Sequence, residues 1–156
     1  MVKVLFVCRA NQCRSAMAEA LMRNILNDRA IQDIEIKSAG THAVDGISPL
    51  PKVVEICKQQ EIDISSHSSL PLVEELVKDS DIILVMEQKQ VQSIVEKFPE
   101  AKEKVKMLSS YSDEYQDQDI KDPVGGSILG FRTTFVILDE CVKGLLEDIL
   151  KTRQIS

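Results

Sequence analysis

The residues best suited to carry chemistry lie in one short segment, Val7-Cys8-Arg9-Ala10-Asn11-Gln12-Cys13-Arg14-Ser15-Ala16. Backbone N–H groups of a loop that leads into a helix converge on a point, and the helix dipole favours negative charge there. A phosphate-like oxyanion fits such a nest, and the Arg14 guanidinium can bind two of its oxygens. The same field stabilises a thiolate at Cys8. The segment therefore predicts a site for covalent transfer of a phosphoryl group.

The remaining cysteines do not share this pattern. Six residues after each of the other three, the chain carries an acidic residue instead of arginine. Because the sequence shows no secretion signal, we expect all four cysteines to be free thiols. Cys8 and Cys13 lack the Cys-x2-Cys spacing of a zinc ribbon, and His42 and His67 stand alone. We therefore predict no metal site and no cofactor.

Apolar runs and helical periodicity alternate along the whole chain, and they define the elements that must position this segment. The predicted strands are Val2–Val7, Ile34–Lys37, Asp81–Met86 and Val105–Leu108. The predicted helices are Ser15–Asp28, one starting at Ser48-Pro49, Pro71–Lys78, Gln88–Lys97, and a last one whose apolar stripe is Phe131, Phe135, Leu138, Val142, Leu145 and Ile149. Four strands, each followed by helical material, favour an α/β fold: a four-stranded parallel sheet with helices on both faces. Ligands of such sheets bind at the carboxyl ends of the strands, so we place the phosphate-binding loop after the first strand.

Composition bounds the class of protein. The 156 residues are 44% hydrophobic and 28% charged, which favours a single globular domain spanning residues 1–156. Nineteen Lys and Arg residues against 25 Asp and Glu residues give a net charge of −6, so we expect no binding to nucleic acid. The longest apolar runs, such as Val4–Cys8, are far shorter than a membrane span. We expect a cytoplasmic protein with no membrane association.

Asp122 is a further candidate for chemistry. It lies in the segment Ser109–Pro123, which is long and polar and has no helical or strand pattern. Irregular loops of this length in compact domains are often functional. Four other acidic residues lie in the same segment, so composition alone does not separate Asp122 from a solvated acidic loop.

The motif Cys8-x5-Arg14-Ser15 resembles the phosphate-binding loop of the low-molecular-weight protein tyrosine phosphatases, which usually reads Cys-x-Gly-Asn-x-Cys-Arg-Ser. The resemblance covers the whole chain through further landmarks in the family's order. These landmarks are Met17-Ala18-Glu19, Ser38-Ala39-Gly40-Thr41, Asp63-Ile64-Ser65-Ser66-His67, Asp81–Met86 and Asp122-Pro123. The fold implied by the resemblance is the same four-stranded parallel sheet.

The resemblance also implies a role for each matching residue. Cys8 would be the nucleophile, Arg14 would hold the phosphoryl oxygens in the transition state, and Asp122 would be the general acid and then the base. The phosphate-binding loop would comprise Arg9, Ala10, Asn11, Gln12, Cys13, Arg14 and Ser15. Residues implied to support the loop are Asn11, Ser15, Ser38 and His67. Cys13 would trap an oxidised Cys8 as a reversible disulfide. The implied partner is a phosphorylated protein, and inorganic phosphate is the product.

Three departures from the family pattern bear on substrate. Ala10 replaces the usual glycine, which would cost about 1 kcal/mol or more if that position required a positive φ. Arg9 and Gln12 are larger and more polar than the common residues, and we expect both to line the mouth of the pocket. Val124-Gly125-Gly126-Ser127 stands where many tyrosine-specific members have aromatic residues, and it resembles the bacterial branch that includes protein-arginine phosphatases.

Four functions are therefore considered. The first is hydrolysis of protein phosphotyrosine, and the alternative is hydrolysis of phosphoarginine by the same fold. A thioredoxin-linked arsenate reductase is disfavoured, because residues 80–90 lack the relay cysteines that this chemistry needs. A non-catalytic phosphoprotein-binding module is disfavoured because Cys8, Arg14 and Asp122 are all present.

Overall fold

The computed structural model describes residues 1–155, in which strands and helices alternate along the chain. The strands are β1 Val2–Cys8, β2 Ile34–Gly40, β3 Ile82–Val85 and β4 Val105–Met107. The α-helices are α1 Arg14–Asp28, α2 Pro51–Gln59, α3 Glu74–Asp79, α4 Gln88–Lys97 and α5 Ile128–Ile155. Over the same residues, no helix is long and apolar enough to cross a membrane.

The strands form one parallel sheet in the order β2-β1-β3-β4. Alternate side chains of β1 point to opposite faces, as the period of two requires. Val4 and Phe6 pack in a core with α1, α2 and α5, whereas Leu5 and Val7 pack in a second core with α3 and α4. The predicted fold class is confirmed: the sheet is covered by helices on both faces, and its central strand β1 leads into the predicted loop.

The long helix α5 packs on the sheet as its periodicity predicts. All six members of its apolar stripe are buried. Gly144 allows the chain after β4 to cross this helix closely, since a Cβ at that position would lie 1.9 Å from the Tyr111 carbonyl oxygen. This crossing fixes the start of the segment that later carries Asp122. A short 3₁₀ turn, Leu108–Tyr111, occupies part of the stretch that was expected to be irregular.

Two helices begin later than predicted, and each has a physical reason. The helix expected from Ser48-Pro49 begins at Pro51, because Leu50 precedes a proline and is held extended at φ −61° and ψ 144°. The helix expected from Pro71 begins at Glu74, because the chain around Pro71 pairs with the end of β2. β2 itself extends beyond its predicted end, through to Gly40, because it stays paired with β1 as far as Cys8.

Candidate active site

The predicted loop lies between the end of β1 and the start of α1. Its nucleophile candidate, Cys8, is 3% exposed, and its Sγ lies 3.0 Å from the Ser15 Oγ. The backbone N–H groups of residues 9–15 donate no hydrogen bond to any other described residue. Free N–H donors in a loop that opens a helix are what an oxyanion site requires. The loop can therefore bind a phosphoryl group beside the Cys8 sulfur.

Asn11 organises the interior of the loop. Its side chain is fully buried; Nδ2 donates to the Ser15 Oγ at 2.7 Å and to the Ser38 Oγ at 2.9 Å, while Oδ1 accepts from the Leu70 N–H at 3.0 Å. The Ser15 hydroxyl, which accepts from Asn11, can give its own proton to the Cys8 sulfur at 3.0 Å or to the Ala39 carbonyl oxygen at 3.4 Å. A hydroxyl that donates to the sulfur stabilises the thiolate form.

A second set of contacts supports the Asn11 backbone and the Ser38 side chain that Asn11 binds. His67 Nε2 lies 2.8 Å from the Asn11 backbone oxygen, so this nitrogen carries the proton. Ser38 Oγ donates to Glu19 Oε1 at 2.5 Å, and the same carboxylate oxygen lies 4.0 Å from His67 Nδ1. The four residues implied to support the loop are thus brought together. Glu19 is a fifth member, to which the sequence had assigned no role.

The loop is not strained at Ala10. The non-glycine residue of the loop with a positive φ is Asn11, at 58°, and asparagine tolerates that region better than most residues. The condition under which Ala10 would be costly is therefore not met. The loop instead requires a glycine at position 40, at the end of β2, because a Cβ there would lie 2.6 Å from the Arg9 carbonyl oxygen.

Arg14 is fixed before any ligand arrives. Its side chain is 2% exposed, and Nη1 donates to Glu87 Oε1 at 2.5 Å and to the Ile120 carbonyl at 2.8 Å. Burial by itself raises the pKa of Glu87, but hydrogen bonds and the charges of Arg14 and Lys89 outweigh it, so the pKa lies below its ordinary value of 4.5. Glu87 is therefore an ionised carboxylate that orients the guanidinium.

Glu87 belongs to the site although its sequence position gave it no predicted role. It follows β3, and β3 lies beside β1 in the sheet, so its side chain meets a residue 73 positions away. A carboxylate directly after a predicted parallel strand was the available signal. The neighbouring Met86 carbonyl accepts the Ile120 N–H at 2.8 Å, which anchors the segment leading to Asp122.

Asp122 lies beside Arg14, with its Oδ2 3.8 Å from Arg14 Nη2. Its side chain is 39% exposed, and Oδ1 accepts the Val124 N–H at 3.0 Å. Both residues line a cavity of about 280 Å³. The full lining is Arg9, Arg14, Thr41, His42, Glu87, Lys89, Gln90, Ser93 and Asp122.

The two large loop residues differ in position. Arg9 is exposed and lines the cavity as expected. Gln12 is not among the residues that line this cavity: its Nε2 donates to the Ser48 carbonyl at 3.0 Å, toward the chain before α2.

The cysteines are free thiols, as predicted. Cys13 is buried next to the site. Its pKa is strongly raised, mainly by burial and to a smaller extent by the charge of Cys8. Burial also raises the pKa of Cys57 to about 11 and that of Cys141 to about 12, and both belong to the core on the α1, α2 and α5 face.

Comparison with known proteins assigns the family. Residues 3–155 match the family described as low molecular weight phosphotyrosine protein phosphatase. A protein-arginine-phosphatase of Bacillus subtilis is 34% identical over 97% of this chain and 99% of its own. The low molecular weight protein-tyrosine-phosphatase PtpA of Staphylococcus aureus is 37% identical over 79% of each chain. A solved structure of the YwlE arginine phosphatase, a cysteine-to-serine mutant with a phosphorylated active-site serine, has a TM-score of 0.91 and 32% identity over 99% of this chain and 100% of that one.

The chain belongs to the low molecular weight phosphotyrosine protein phosphatase family, which includes protein-arginine phosphatases. It is a phosphatase enzyme, and its fold is that of the family's solved structures. These findings disfavour the non-catalytic binding module considered above.

Proposed function

We propose that this phosphatase hydrolyses phosphorylated protein side chains through a phosphocysteine on Cys8. The observation that carries the proposal is the Cys8 sulfur, held 3.0 Å from Ser15 Oγ at the start of a loop whose N–H groups have no acceptor among the described residues and which also carries the fixed Arg14 guanidinium. In the first step the thiolate attacks phosphorus, the S–P bond forms, and the bond from phosphorus to the leaving group breaks. A relative with a phosphorylated serine at its mutated active-site cysteine supports this assignment.

Arg14 is assigned to the transition state. Charge spreads over the equatorial phosphoryl oxygens as the transferred group moves between two nucleophiles. A guanidinium already fixed by Glu87 and the Ile120 carbonyl needs no reorganisation when that charge develops, which is the main advantage of a preorganised site.

Asp122 is assigned to proton transfer. Protonated, it gives its proton to the leaving atom in the first step. As a carboxylate, it then takes a proton from the water that attacks the phosphocysteine, which releases inorganic phosphate and restores the Cys8 thiolate. The carboxyl group lies beside Arg14 and is open to solvent, as both a leaving group and a water require.

Phosphotyrosine in proteins is the first candidate substrate. The family description and the PtpA relative support it. A phenol leaving group needs a proton, because the pKa of tyrosine is about 10. The exposed Asp122 carboxyl beside Arg14 is the proposed source of that proton.

Phosphoarginine is the second candidate. It is favoured by a cavity lining that holds no Phe, Tyr or Trp among the described residues, and by the relatives named protein-arginine phosphatases. In this case the P–N bond would break, and Asp122 would protonate the guanidine nitrogen. The loop itself does not distinguish the two, because both substrates present the same phosphoryl oxygens.

Steady-state hydrolysis of matched phosphotyrosine and phosphoarginine peptides tests the proposal. Replacement of the nucleophile in Cys8→Ser should reduce kcat by roughly 10⁴-fold or more. Full activity in that variant would exclude the phosphocysteine route. The ratio of the two kcat/KM values decides the substrate, and hydrolysis of neither peptide would contradict both candidates.

We also propose that Cys13 protects an oxidised Cys8. Peroxide would convert the Cys8 thiolate to a sulfenic acid, and attack by Cys13 on that sulfur would form a disulfide and release water. The raised pKa of Cys13 leaves little thiolate, so this step should be slow. Mass spectrometry after mild peroxide should find the Cys8–Cys13 disulfide and activity that thiols restore. Irreversible oxidation of Cys8 without a disulfide would contradict it.

A further inference from the structure

Arg9 differs from every other charged residue that lines the active-site cavity. Arg14 and Lys89 are both paired with Glu87, and Asp122 lies 3.8 Å from Arg14. The Arg9 side chain is exposed and forms no hydrogen bond or ion pair with any other described residue. It is therefore a free cation at the mouth of the site.

The two arginines of the loop occupy opposite environments. Arg14 is 2% exposed and braced on two sides, which suits a group that must hold phosphoryl oxygens in a fixed place. Arg9 has no such brace among the described residues, so its fork of donors can turn toward carboxylates at more than one place. Carboxylates on either side of a phosphorylated side chain would lie at different places in different substrates, so they require a contact of this kind.

We propose that Arg9 selects protein substrates that carry acidic residues next to the phosphorylated residue. This inference rests on the proposed function. The substrate carboxylates would pair with the Arg9 guanidinium at the cavity mouth. Lys89 would contribute less, because it already pairs with Glu87 at 3.3 Å. The chain as a whole carries a net charge of −6, which disfavours acidic peptides elsewhere on its surface, so the attraction must be local to this mouth.

Three peptides test the inference. They share one phosphorylated residue and differ only in flanking glutamates, glutamines or lysines. At low ionic strength the enzyme should prefer the acidic peptide over the basic one by about two- to fivefold in kcat/KM, mainly through KM. Added salt should shrink this preference because the contact is exposed. Arg9→Gln should bring the ratio close to one, and Arg9→Glu should invert it.

Lys102→Glu is the matched control. Lys102 is an exposed residue just before β4, at the amino ends of the strands, whereas the site lies at their carboxyl ends. The substitution changes the net charge by the same amount as Arg9→Glu. This variant should keep the preference for the acidic peptide. The inference would be overturned if the native protein hydrolysed the acidic and the basic peptide with equal kcat/KM. It would also be overturned if Lys102→Glu changed the ratio of these two values as much as Arg9→Glu does.

Two outcomes separate this inference from the proposed function. If Arg9→Gln slows all three peptides and a small aryl phosphate by the same factor, Arg9 binds phosphate and the inference is wrong. If no peptide is hydrolysed, the proposed function is wrong, and binding of the three peptides to Cys8→Ser still measures selection at the mouth. Equal affinities there would overturn the inference on its own.

Discussion

The phosphate-binding loop and the segment that carries Asp122 supply the two halves of one site, and they are built in opposite ways. In the loop, Asn11, Arg14 and Ser15 are at most 2% exposed, and each makes buried hydrogen bonds. In the segment, residues 121–122 and 124–127 are exposed. The half that meets phosphorus is preorganised by the protein core, while the half that meets the leaving group is open.

The difference follows from how each half is anchored. The loop is tied to β2 and to residues 67–70 through Asn11, and to β3 through the pair of Arg14 and Glu87. The segment is anchored at Ile120, whose N–H donates to the Met86 carbonyl and whose own carbonyl accepts from Arg14. Asp122 lies two residues beyond that anchor. Mutations in the loop should therefore affect stability and turnover together, and mutations in the segment should affect turnover alone.

Among variants that keep the Cys8 nucleophile, the largest effect is expected for Asp122→Asn. Loss of the general acid should lower kcat/KM on phenyl phosphate, which reports formation of the phosphocysteine, by about 10²–10⁴-fold. The loss should be smaller on p-nitrophenyl phosphate, whose leaving group needs less protonation. Stability should change by less than about 0.5 kcal/mol, because the side chain is exposed. Asp113→Asn, at another exposed position of the same stretch, is the control. Urea unfolding and steady-state kinetics check both, and an equal loss on the two esters would argue against an acid role.

Glu87→Gln should reduce both activity and stability. Displacement of Arg14 should cost roughly 10–100-fold in kcat/KM. Loss of the charged hydrogen bond should reduce the free energy of unfolding at pH 7 by about 2–3 kcal/mol. Because the pKa of Glu87 is depressed in the folded state, the native pair stabilises above the ordinary value of 4.5 and loses this contribution as the pH falls through the folded pKa.

The pH series gives this prediction its own test. The difference in unfolding free energy between the native protein and Glu87→Gln should be complete at pH 7 and should shrink below pH 4.5. Glu100→Gln, an exposed position near α4, should change stability by less than about 0.5 kcal/mol. A gap that stayed constant with pH would mean that the carboxylate charge does not stabilise the fold.

Two glycine substitutions compare close backbone approach with open space. In Gly40→Ala the new Cβ would lie 2.6 Å from the Arg9 carbonyl, so the loop must shift. We expect a destabilisation of about 1–3 kcal/mol. The displaced loop should also lower kcat/KM by roughly tenfold. Gly130 lies in helix α5, and a Cβ added there would meet no atom within 4 Å apart from its chain neighbours and the nearby helix backbone. Gly130→Ala should therefore increase the free energy of unfolding by about 0.5–1 kcal/mol. Thermal unfolding of both variants checks the contrast, and similar effects would refute it.

The smallest effect is expected for Ala10→Gly. Ala10 does not have a positive φ, so the family's usual glycine should relieve no strain and should change kcat/KM by less than about twofold. The extra freedom of the unfolded chain should cost about 0.4–1 kcal/mol of stability. A large gain in activity or stability would show that Ala10 constrains the loop after all.

The sequence was sufficient for the elements and for the spacing inside the loop. Strand β1, helix α1 and the six-residue step from Cys8 to Arg14 are local features, and local hydrophobic periodicity predicts them well. Element boundaries were less accurate where distant contacts intervene. The start of α3 moved because the chain near Pro71 pairs with Gly40, which no local pattern around residue 71 reveals.

Contacts between distant residues escaped sequence reasoning. Glu87 meets Arg14 because β3 is placed next to β1, and the order of strands within a parallel sheet was not predicted. Gln12 was expected at the mouth of the pocket, but its side chain donates a hydrogen bond to the Ser48 carbonyl, 36 residues away. Ala10 stands where the family usually has glycine, but the residue with a left-handed backbone is its neighbour Asn11.

The sequence by itself determined which groups are available: a thiol, a guanidinium and a loop of backbone donors at fixed spacing along one stretch of chain. This was possible because a strand, a tight loop and a helix start impose their geometry within a dozen residues. Only the tertiary structure decided that Glu87 fixes Arg14, that Asp122 lies exposed beside it, and that the Arg9 side chain has no partner among the residues described. Those outcomes depend on which distant segments the packed core brings together.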